Sequence, residues 1–429
     1  MRRNFYFIII AFLITFAVIC CFFVFRKDKI NQRYSLENSS KKTFSLPALQ
    51  ASIVRKSNLQ KAKKGYTQKI IRPSIIKAVY LTSWAAGRKD YVDYVISLAK
   101  DTEINAVVID IKDYSGYVGY ITDVEEVKKY NAQEGRIRDV KSLIKKLHKN
   151  GIYTIARIVV FQDPVLARAR PDLAVASKTK ISGLKKLNSL FSSTAWSVDT
   201  LWTDKKGLSW VDPASLEVWD YNIAIAKDAA LEGFDEINFD YVRFPSDGDL
   251  GDMIFPVWNT STSKREVIKH FFGYLHKELQ NQVISVDLFG LSCTREDDLG
   301  IGQRIEDTFG YFDYVCPMVY PSHYENGFLG YQEPAKYPYE VVKYSLERAL
   351  VRLKQYKRPE EKDTKIRPWI QDFSLGGVPY GIQEVKKEIQ AVHDSLGDDF
   401  FGFMLWSPSN VYTKEALQKR DNSFNLFWF

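Results

Sequence analysis

The sequence predicts an α/β protein built as a (β/α)8 barrel of the TIM type, preceded by an N-terminal transmembrane helix and a basic linker. Three observations support this prediction. From residue 73 onward, short apolar segments typical of strands alternate with amphipathic segments typical of helices, roughly every 30–50 residues. Eight strand candidates and seven intervening helix candidates match the element count of such a barrel. The sequence also lacks the glycine-rich phosphate loop that normally follows the first strand of the competing doubly wound sheet.

The first 25 residues predict a membrane helix. Residues 5–25 form an uncharged apolar run long enough to cross a bilayer, with Arg2 and Arg3 before it and Arg26 and Lys27 after it. We interpret this run as a signal anchor, since no clear signal-peptide cleavage site follows. The protein would then be a single-pass protein of the cell membrane with its folded domain outside the cytoplasm. The positive-inside rule, applied to the basic residues that follow, favours the opposite orientation.

Residues 26–72 predict a flexible linker. They hold 13 Lys and Arg against two acidic residues, a net charge of +11, and they lack sustained periodicity. A solvated spacer is one interpretation, and contact with anionic lipid or cell-wall polymer is the other. The whole chain carries +8. With Arg2 and Arg3 also counted at the N-terminus, the folded region of residues 73–429 is mildly acidic at −5. This balance argues against nucleic-acid binding by the folded region.

The cysteines and histidines restrict the possible chemistry. Cys20 and Cys21 belong to the apolar run, while Cys293 and Cys316 lie far apart, and we expect these two to be reduced core thiols rather than a disulfide. Four of the five histidines fall in amphipathic helix candidates. The small number of histidines, and their place in helix candidates, argue against His-rich metal sites and against Ser-His-Asp hydrolysis. We therefore expect neither a metal nor another cofactor.

The predicted elements follow in order along the folded region. The strand candidates are Ala78–Trp84, Ala106–Asp113, Tyr153–Phe161, Glu236–Phe244, Val283–Gly290, Tyr314–Tyr320, Ile366–Phe373 and Phe401–Trp406. The helix candidates are Tyr91–Lys100, Val140–Lys149, Leu216–Leu231, Lys264–Gln280, Ile301–Phe309, Tyr339–Gln355 and Gln383–Leu396. The connection of about 54 residues between Phe161 and Leu216 is unusually long and contains Trp196, Trp202 and Trp210. We interpret it as a lid or substrate wall, with a stabilising surface excursion as the alternative.

Polar and aromatic residues lie near the carboxyl end of nearly every strand candidate. On the fourth strand, Glu236, Asn238 and Asp240 alternate with apolar residues, which is unusual for a buried parallel strand. In a barrel, these strand ends meet at one mouth where active sites lie. The catalytic candidates are Asp240, Asp287, Asp372 and Asp110. The substrate-binding candidates are Trp84, Lys112, Arg157, Trp210, Arg243, Tyr320, His323, Trp369, Gln371 and Trp406.

This mixture of side chains suits a sugar. Aromatic rings stack on the apolar faces of pyranoses, while carboxylates, amides and arginine bind the hydroxyl groups. Glycoside cleavage commonly uses two carboxyl groups, one as proton donor and the other as nucleophile or base. We assign Asp240 as nucleophile or base and Asp287, on the neighbouring strand, as its acid partner. Asp372 and Asp110 are the substitutes for the second role.

Several of these residues could have a structural role instead of a catalytic or substrate-binding one. Asp287 could cap a loop, and Asp372 could be a buried hydrogen-bond acceptor. Asp110 could form an ion pair with Lys112, with which it shares a strand face. Arg157 could orient a carboxylate or serve a purely structural purpose.

Five segments together resemble a bacterial family known as putative glycoside hydrolase domains of TIM-barrel type. The segments are Ala106–Asp113, Gly233–Pro245, Tyr314–Tyr320 with the following Pro321–Tyr324, Arg367–Phe373 and Gly402–Asn410. The resemblance spans residues 76–412 and implies a barrel, carbohydrate processing and Asp240 at the acidic position of the fourth-strand motif. The chain is more distantly similar to the alpha-amylase clan. It departs from that clan with Asp287 in place of Glu and Asn238 in place of Arg.

The sequence thus predicts a membrane-anchored, extracytoplasmic glycoside hydrolase that acts on a poly- or oligosaccharide. One alternative is a catalytically inactive carbohydrate-binding or scaffold barrel, which needs an aromatic rim but no carboxylate pair. The other is a polysaccharide-modifying hydrolase such as a deacetylase, which needs His and Asp ligands that converge on a metal.

Overall fold

The computed structural model describes residues 70–187, 196–356 and 362–420. The predicted span of residues 5–25 and nearly all of the predicted linker therefore lie outside the described residues, as does a short part of the long connection. Within the described ranges, no helix is both long enough and apolar enough to span a bilayer.

Eight parallel strands close into the predicted barrel. They are β1 (Ile76–Leu81), β2 (Ala106–Lys112), β3 (Tyr153–Val159), β4 (Glu236–Asp240), β5 (Val283–Phe289), β6 (Tyr314–Met318), β7 (Lys365–Ile366 and Trp369–Gln371) and β8 (Gly402–Trp406). Each strand pairs in parallel with the next, and β8 pairs with β1 to close the ring. Because all strands run the same way, their carboxyl ends form one mouth.

Helices pack around the outside of this barrel. In the described part of the chain they are α1 (Ser83–Ala86), α2 (Lys89–Asp101), α3 (Glu125–Lys129), α4 (Val140–Lys149), α5 (Pro164–Ala169), α6 (Lys178–Leu187), α7 (Leu216–Glu232), α8 (Lys264–Glu278), α9 (Pro338–Gln355) and α10 (Ile382–Leu396). The predicted helix Ile301–Phe309 is wrong, since this segment forms only a short 3-10 helix at Ile305–Asp307. Gly300 and Gly302, with φ values of 67° and 89°, adopt left-handed conformations that interrupt a helix.

Apolar residues fill two regions. A large core packs the outward faces of the strands against the helices. A smaller cluster inside the barrel includes Ala78, Val108, Ile155 and Met404. Cys293 and Cys316 are both buried and unpaired to any disulfide, as predicted.

The polar side of β4 faces the barrel interior and forms hydrogen bonds there. Glu236 accepts hydrogen bonds from the Arg367 guanidinium and, at 2.6 Å, from the Ser285 hydroxyl. The Asn238 side-chain amide donates to Ser285 at 3.1 Å and to Asp287 at 2.9 Å. These residues form a hydrogen-bonded interior column that runs from the barrel floor to the mouth. The column explains why β4 is not uniformly apolar.

The long connection between β3 and α7 buries two of its predicted indoles. Trp202 and Trp210 are almost fully enclosed. The Trp202 indole N–H donates to the Asp249 carbonyl at 2.9 Å, and that of Trp210 donates to Asp204 at 3.0 Å. These contacts match the alternative of a stabilising excursion for this part of the connection.

The residues that follow β8 fasten the chain to β1. The Tyr412 hydroxyl accepts from the Tyr80 backbone N–H at 2.8 Å and donates to the Tyr80 carbonyl at 2.5 Å. Further along, the Glu103 backbone N–H donates to the Gln418 carbonyl at 2.9 Å. The end of the folded region thus secures the strand that begins it.

Candidate active site

Three of the four predicted acids meet around one guanidinium group at the barrel mouth. Arg157, on β3, donates from Nη1 to Asp110 at 2.5 Å, from Nη2 to Asp240, and from Nε to Asp287 at 3.4 Å. The acids come from β2, β4 and β5, and all three are buried. We call Asp110, Asp240 and Asp287 the acid triad. The prediction that Arg157 orients a carboxylate agrees with these contacts.

Asp240 is held by a sharp turn that begins immediately after it. Its Oδ1 accepts from the Tyr241 backbone N–H at 2.6 Å, while its Oδ2 accepts from Arg157. Tyr241 has a φ of 53°, a conformation that is uncommon for residues other than glycine and is often found at functional sites. Both contacts are charge-assisted hydrogen bonds that stabilise the carboxylate form.

Asp287 has a different environment. Its Oδ1 accepts from the Asn238 amide at 2.9 Å and from the Trp369 indole N–H at 2.8 Å. Burial, together with the neighbouring Asp240 charge, raises the pKa of Asp287 to about 7, against the opposing effect of Arg157. Asp287 can therefore carry a proton near neutral pH.

Asp110 pairs with Arg157 rather than with Lys112, so the alternative of an ion pair between Asp110 and Lys112 is wrong. The Tyr80 hydroxyl donates to Asp110 at 2.5 Å, and burial raises the pKa of Asp110. A register shift between Asp110 and Lys112 turns the lysine away from the mouth. The Lys112 ammonium is fully buried against Asp163 at 2.8 Å, which removes Lys112 from the predicted substrate-binding set.

Asp372 and Gln371, at the end of β7, support the rim instead of joining the triad. Asp372 accepts from the backbone N–H and the hydroxyl of Thr413 at 2.8 and 2.7 Å, which matches the alternative of a buried acceptor. Gln371 is fully buried, where it accepts from the Ser322 hydroxyl at 2.8 Å and donates to the Phe373 carbonyl.

Aromatic rings line one side of the mouth. Tyr320 packs against Trp406 with ring centres 5.8 Å apart, and Phe373 packs against Trp406 at 4.8 Å. The His323 ring lies 5.2 Å from Tyr320. We call Tyr320, Phe373 and Trp406 the aromatic wall. Trp369, although predicted as a sugar ligand, is buried and acts through its hydrogen bond to Asp287.

Trp84 and Trp210, both predicted to shape sugar sites, differ in accessibility. Trp84, in α1 just after β1, is 60% exposed, and its ring lies over the Arg136 guanidinium at 4.8 Å. Trp210 is only 1% exposed and instead packs against the Arg243 guanidinium at 4.9 Å. Burial therefore removes Trp210 from direct contact with a large ligand.

Two important side chains were not among the predicted site residues. Tyr80 binds Asp110, and Arg136 supports Trp84. Tyr80 could have been found, since alternation along β1 places it on the same face as Ala78, which points into the barrel. Arg136 is distant in sequence from both neighbouring strands, and no sequence pattern marks it.

The acid triad surrounds the Arg157 guanidinium. In residues 70–187, 196–356 and 362–420, no cluster of three or more His, Cys, Asp or Glu is arranged to hold a metal ion. Because Asp240 and Asp287 both contact nitrogen atoms of one guanidinium, they lie within the separation of roughly 10 Å or less that glycosidase carboxyl pairs use.

Comparison with sequence families gave one extensive match. A family model described as "Putative glycosyl hydrolase domain" matches residues 78–412. A search of curated proteins found no match.

Solved structures provide further similarities. A hypothetical protein from Ruminiclostridium thermocellum ATCC 27405 is 36% identical over 52% of this chain and 98% of its own, with a TM-score of 0.42. An alpha-galactosidase from Thermus thermophilus is 11% identical over 83% of this chain and 62% of its own, with a TM-score of 0.45. The glycoside hydrolase domain of PelA from Pseudomonas aeruginosa is 13% identical over 80% of this chain and 97% of its own, with a TM-score of 0.37.

Proposed function

The chain belongs to the family of putative glycosyl hydrolase domains, and on that premise we propose that it is a membrane-anchored, extracytoplasmic enzyme that cleaves a poly- or oligosaccharide through a carboxylate pair. The observation that carries this proposal is the contact of Asp240 and Asp287 with the same guanidinium, that of Arg157. Family membership supports the glycosidase activity, and the two unequal carboxyl environments support the mechanism.

In the proposed reaction, the two acids take different roles. Asp240, stabilised as a carboxylate by Arg157 and a backbone N–H, attacks the anomeric carbon or activates water. Asp287, whose pKa is raised to about 7, donates its proton to the leaving oxygen. Arg157 positions both acids, and the aromatic wall supplies faces on which the sugar ring can stack.

The proposed location rests on the sequence. Residues 5–25 could anchor the chain in the membrane, and residues 26–72 could separate the barrel from the bilayer while contacting anionic lipid or cell-wall polymer. Protease treatment of intact cells tests the orientation. Cleavage of the barrel in intact cells is expected, whereas protection until the membrane is disrupted would reverse the proposed topology.

The activity is tested by a panel of glycans with detection of new reducing ends. Wild-type protein is expected to release reducing ends from at least one polymer, with no release by the Asp240→Asn variant. Binding of a glycan without any turnover by the wild type would favour the alternative of an inactive carbohydrate-binding barrel.

The pKa of Asp287 predicts the alkaline side of the pH profile. Since the proposed proton donor must be protonated, kcat/KM is expected to fall as the pH rises through about 7. The measurement is kcat/KM between pH 5 and 9 for the wild type and for Asp287→Asn, which lacks this titration. Activity that instead rises through pH 8 would remove Asp287 from the role of acid.

Trp84 predicts an effect that depends on substrate length. Its ring is exposed at the rim on a rigid support, because Arg136 is fixed by Asp113 at 2.6 Å and Gly87 packs so closely that an added Cβ would lie 2.0 Å from the Arg136 carbonyl oxygen. Replacing Trp84 by alanine is expected to lower kcat/KM for long oligosaccharides roughly tenfold through loss of ring stacking. For short substrates that end at the acid triad, kcat/KM should fall much less.

A matched control for Trp84 is Tyr344→Ala, which removes an exposed ring from the outer helix α9. This control should leave the dependence on chain length unaltered. Equal losses for short and long substrates in Trp84→Ala would contradict a distal sugar site at this residue.

A further inference from the structure

Arg243 is a buried cation enclosed by aromatic rings beside the acid triad. It lies three residues after Asp240 and is 6% exposed. Its guanidinium carbon lies 4.9 Å from the ring centre of Trp210, 5.0 Å from that of Tyr241 and 4.7 Å from that of Phe289. We call these three rings the aromatic cage. Interactions of the rings with the cation stabilise its charge and restrict its movement.

The Arg243 guanidinium has no carboxylate partner in the described part of the chain. No carboxylate lies within 4.0 Å of it among the described residues. Its Nη1 alone donates, to the Phe244 carbonyl at 3.1 Å and to the Ser246 hydroxyl at 3.0 Å. Within these same residues, Nε and Nη2 have no hydrogen-bond acceptor. Burial lowers the pKa of the guanidinium, against the opposing effect of the Asp240, Asp247 and Asp204 charges, which lie beyond ion-pair distance, and arginine stays charged in proteins.

Other buried arginines differ from Arg243 in this respect. Arg157 contacts the acid triad, Arg352 contacts Glu306 at 2.5 Å, and Arg367 contacts Glu236. A buried charge without a counter-ion is costly to the fold. Such a charge is therefore more easily explained by a ligand that supplies the missing anion than by a structural role.

The position of the cage connects it with the proposed reaction. Tyr241 directly follows Asp240, and Phe289 ends β5 two residues after Asp287. The Arg243 guanidinium therefore packs against the residue that follows Asp240 and against the last residue of the strand that carries Asp287.

We propose that Arg243 binds an anionic substituent of the sugar: the carboxylate of a uronic acid, or a sulfate or phosphate ester. This inference rests on the proposed function, since it specifies the substrate class of that same site. A guanidinium presents two parallel N–H groups that match the two oxygens of such an anion. Since Arg243 is only 6% exposed, this contact is stronger than it would be at the surface.

The charges at the mouth indicate that Arg243 also affects which substrates the site prefers. The acid triad outnumbers the Arg157 cation and would repel an anionic sugar, and Arg243 offsets this repulsion at one side of the mouth. A neutral sugar would leave the Arg243 charge unpaired. The same residue therefore favours acidic over neutral substrates.

The test compares polymers that differ only in charge. Affinity electrophoresis of the non-hydrolysing Asp240→Asn protein uses three matched pairs: polygalacturonate and its methyl ester, a sulfated galactan and its desulfated form, and a phosphomannan and its dephosphorylated form. At least a tenfold preference for the acidic member of one pair is expected. The pair that shows it identifies the anion as carboxylate, sulfate or phosphate.

Variants then assign the preference to Arg243. Adding Arg243→Met should reduce the acidic preference at least tenfold, and Arg243→Lys, which keeps the charge without the planar fork, should retain part of it. Lys100→Met is the charge-matched control, since Lys100 is exposed in the last turn of α2 at the opposite end of the barrel. It should retain the full preference.

Outcomes for the inference and for the proposed function are distinguishable. Equal affinity for acidic and neutral members of every pair overturns the inference, as does an acidic preference that survives both Arg243 variants. If Arg243→Met does not fold, the comparison of Arg243→Lys with Lys100→Met decides. Hydrolysis is measured separately in the wild type, so a protein that prefers acidic polymers without cleaving any contradicts the proposed function while supporting the inference.

Discussion

Replacing Asp240 by asparagine is expected to lower glycan hydrolysis at least about a thousandfold, which is within the range for loss of a group that acts directly in bond cleavage. The amide keeps the shape of the carboxyl group, and its single oxygen can still accept from one of the two donors, Arg157 or the Tyr241 backbone N–H. It cannot attack the anomeric carbon or accept a proton from water. Turnover measured as reducing-end release should therefore disappear while the fold persists.

Asp372→Asn is the matched control for this loss. Asp372 is also an acid at the rim, but it is bound to Thr413 rather than to Arg157. We expect Asp372→Asn to retain most of the activity. If Asp372→Asn were inactive and Asp240→Asn active, with circular dichroism unchanged in both, the roles assigned to these two residues would be wrong.

Replacing Arg367 by methionine is expected to reduce the free energy of unfolding by about 3–5 kcal/mol, the usual effect of removing one partner from a buried ion pair. Arg367 and Glu236 are both fully buried inside the barrel, where the guanidinium also stacks on the Tyr314 ring at 4.1 Å. The single variant leaves the Glu236 carboxylate in the interior without its cation. Urea unfolding followed by tryptophan fluorescence measures this change.

The double variant Glu236→Leu with Arg367→Met separates the charge effect from packing. Since it removes both charges, it should recover a large part of the lost stability. A single variant that loses less than about 1 kcal/mol, the level of an exposed pair, would show that this ion pair has little importance for the fold. A double variant no more stable than the single one would assign the loss to packing.

The barrel could be predicted because its pattern is repeated eight times. Short, mostly apolar strands alternate with amphipathic segments along the chain, so a wrong prediction for one element does not alter the predicted fold. The segment of residues 301–309 shows where prediction from the apolar pattern fails. Its apolar residues resemble a helix, but Gly300 and Gly302 take left-handed conformations that favour a turn instead.

The site was predictable only in part, for a geometric reason. Parallel strands must end at one mouth, so the convergence of Asp110, Asp240 and Asp287 followed from the fold. Side-chain direction depends on local irregularities that the sequence does not reveal. The register shift in β2 turns Lys112 away, and the contacts of the long connection bury Trp210.

The fastening of the C-terminal residues to β1 has a consequence for biosynthesis. Tyr412 binds Tyr80 across 332 residues of chain, and β8 pairs with β1 over a similar interval. At translation rates of about 5–20 residues per second, β1 leaves the ribosome some tens of seconds before its neighbour exists. During that time the nascent sheet keeps an open edge, which is a hazard for aggregation. Newly made chains should therefore depend on chaperones until the last strand has been released.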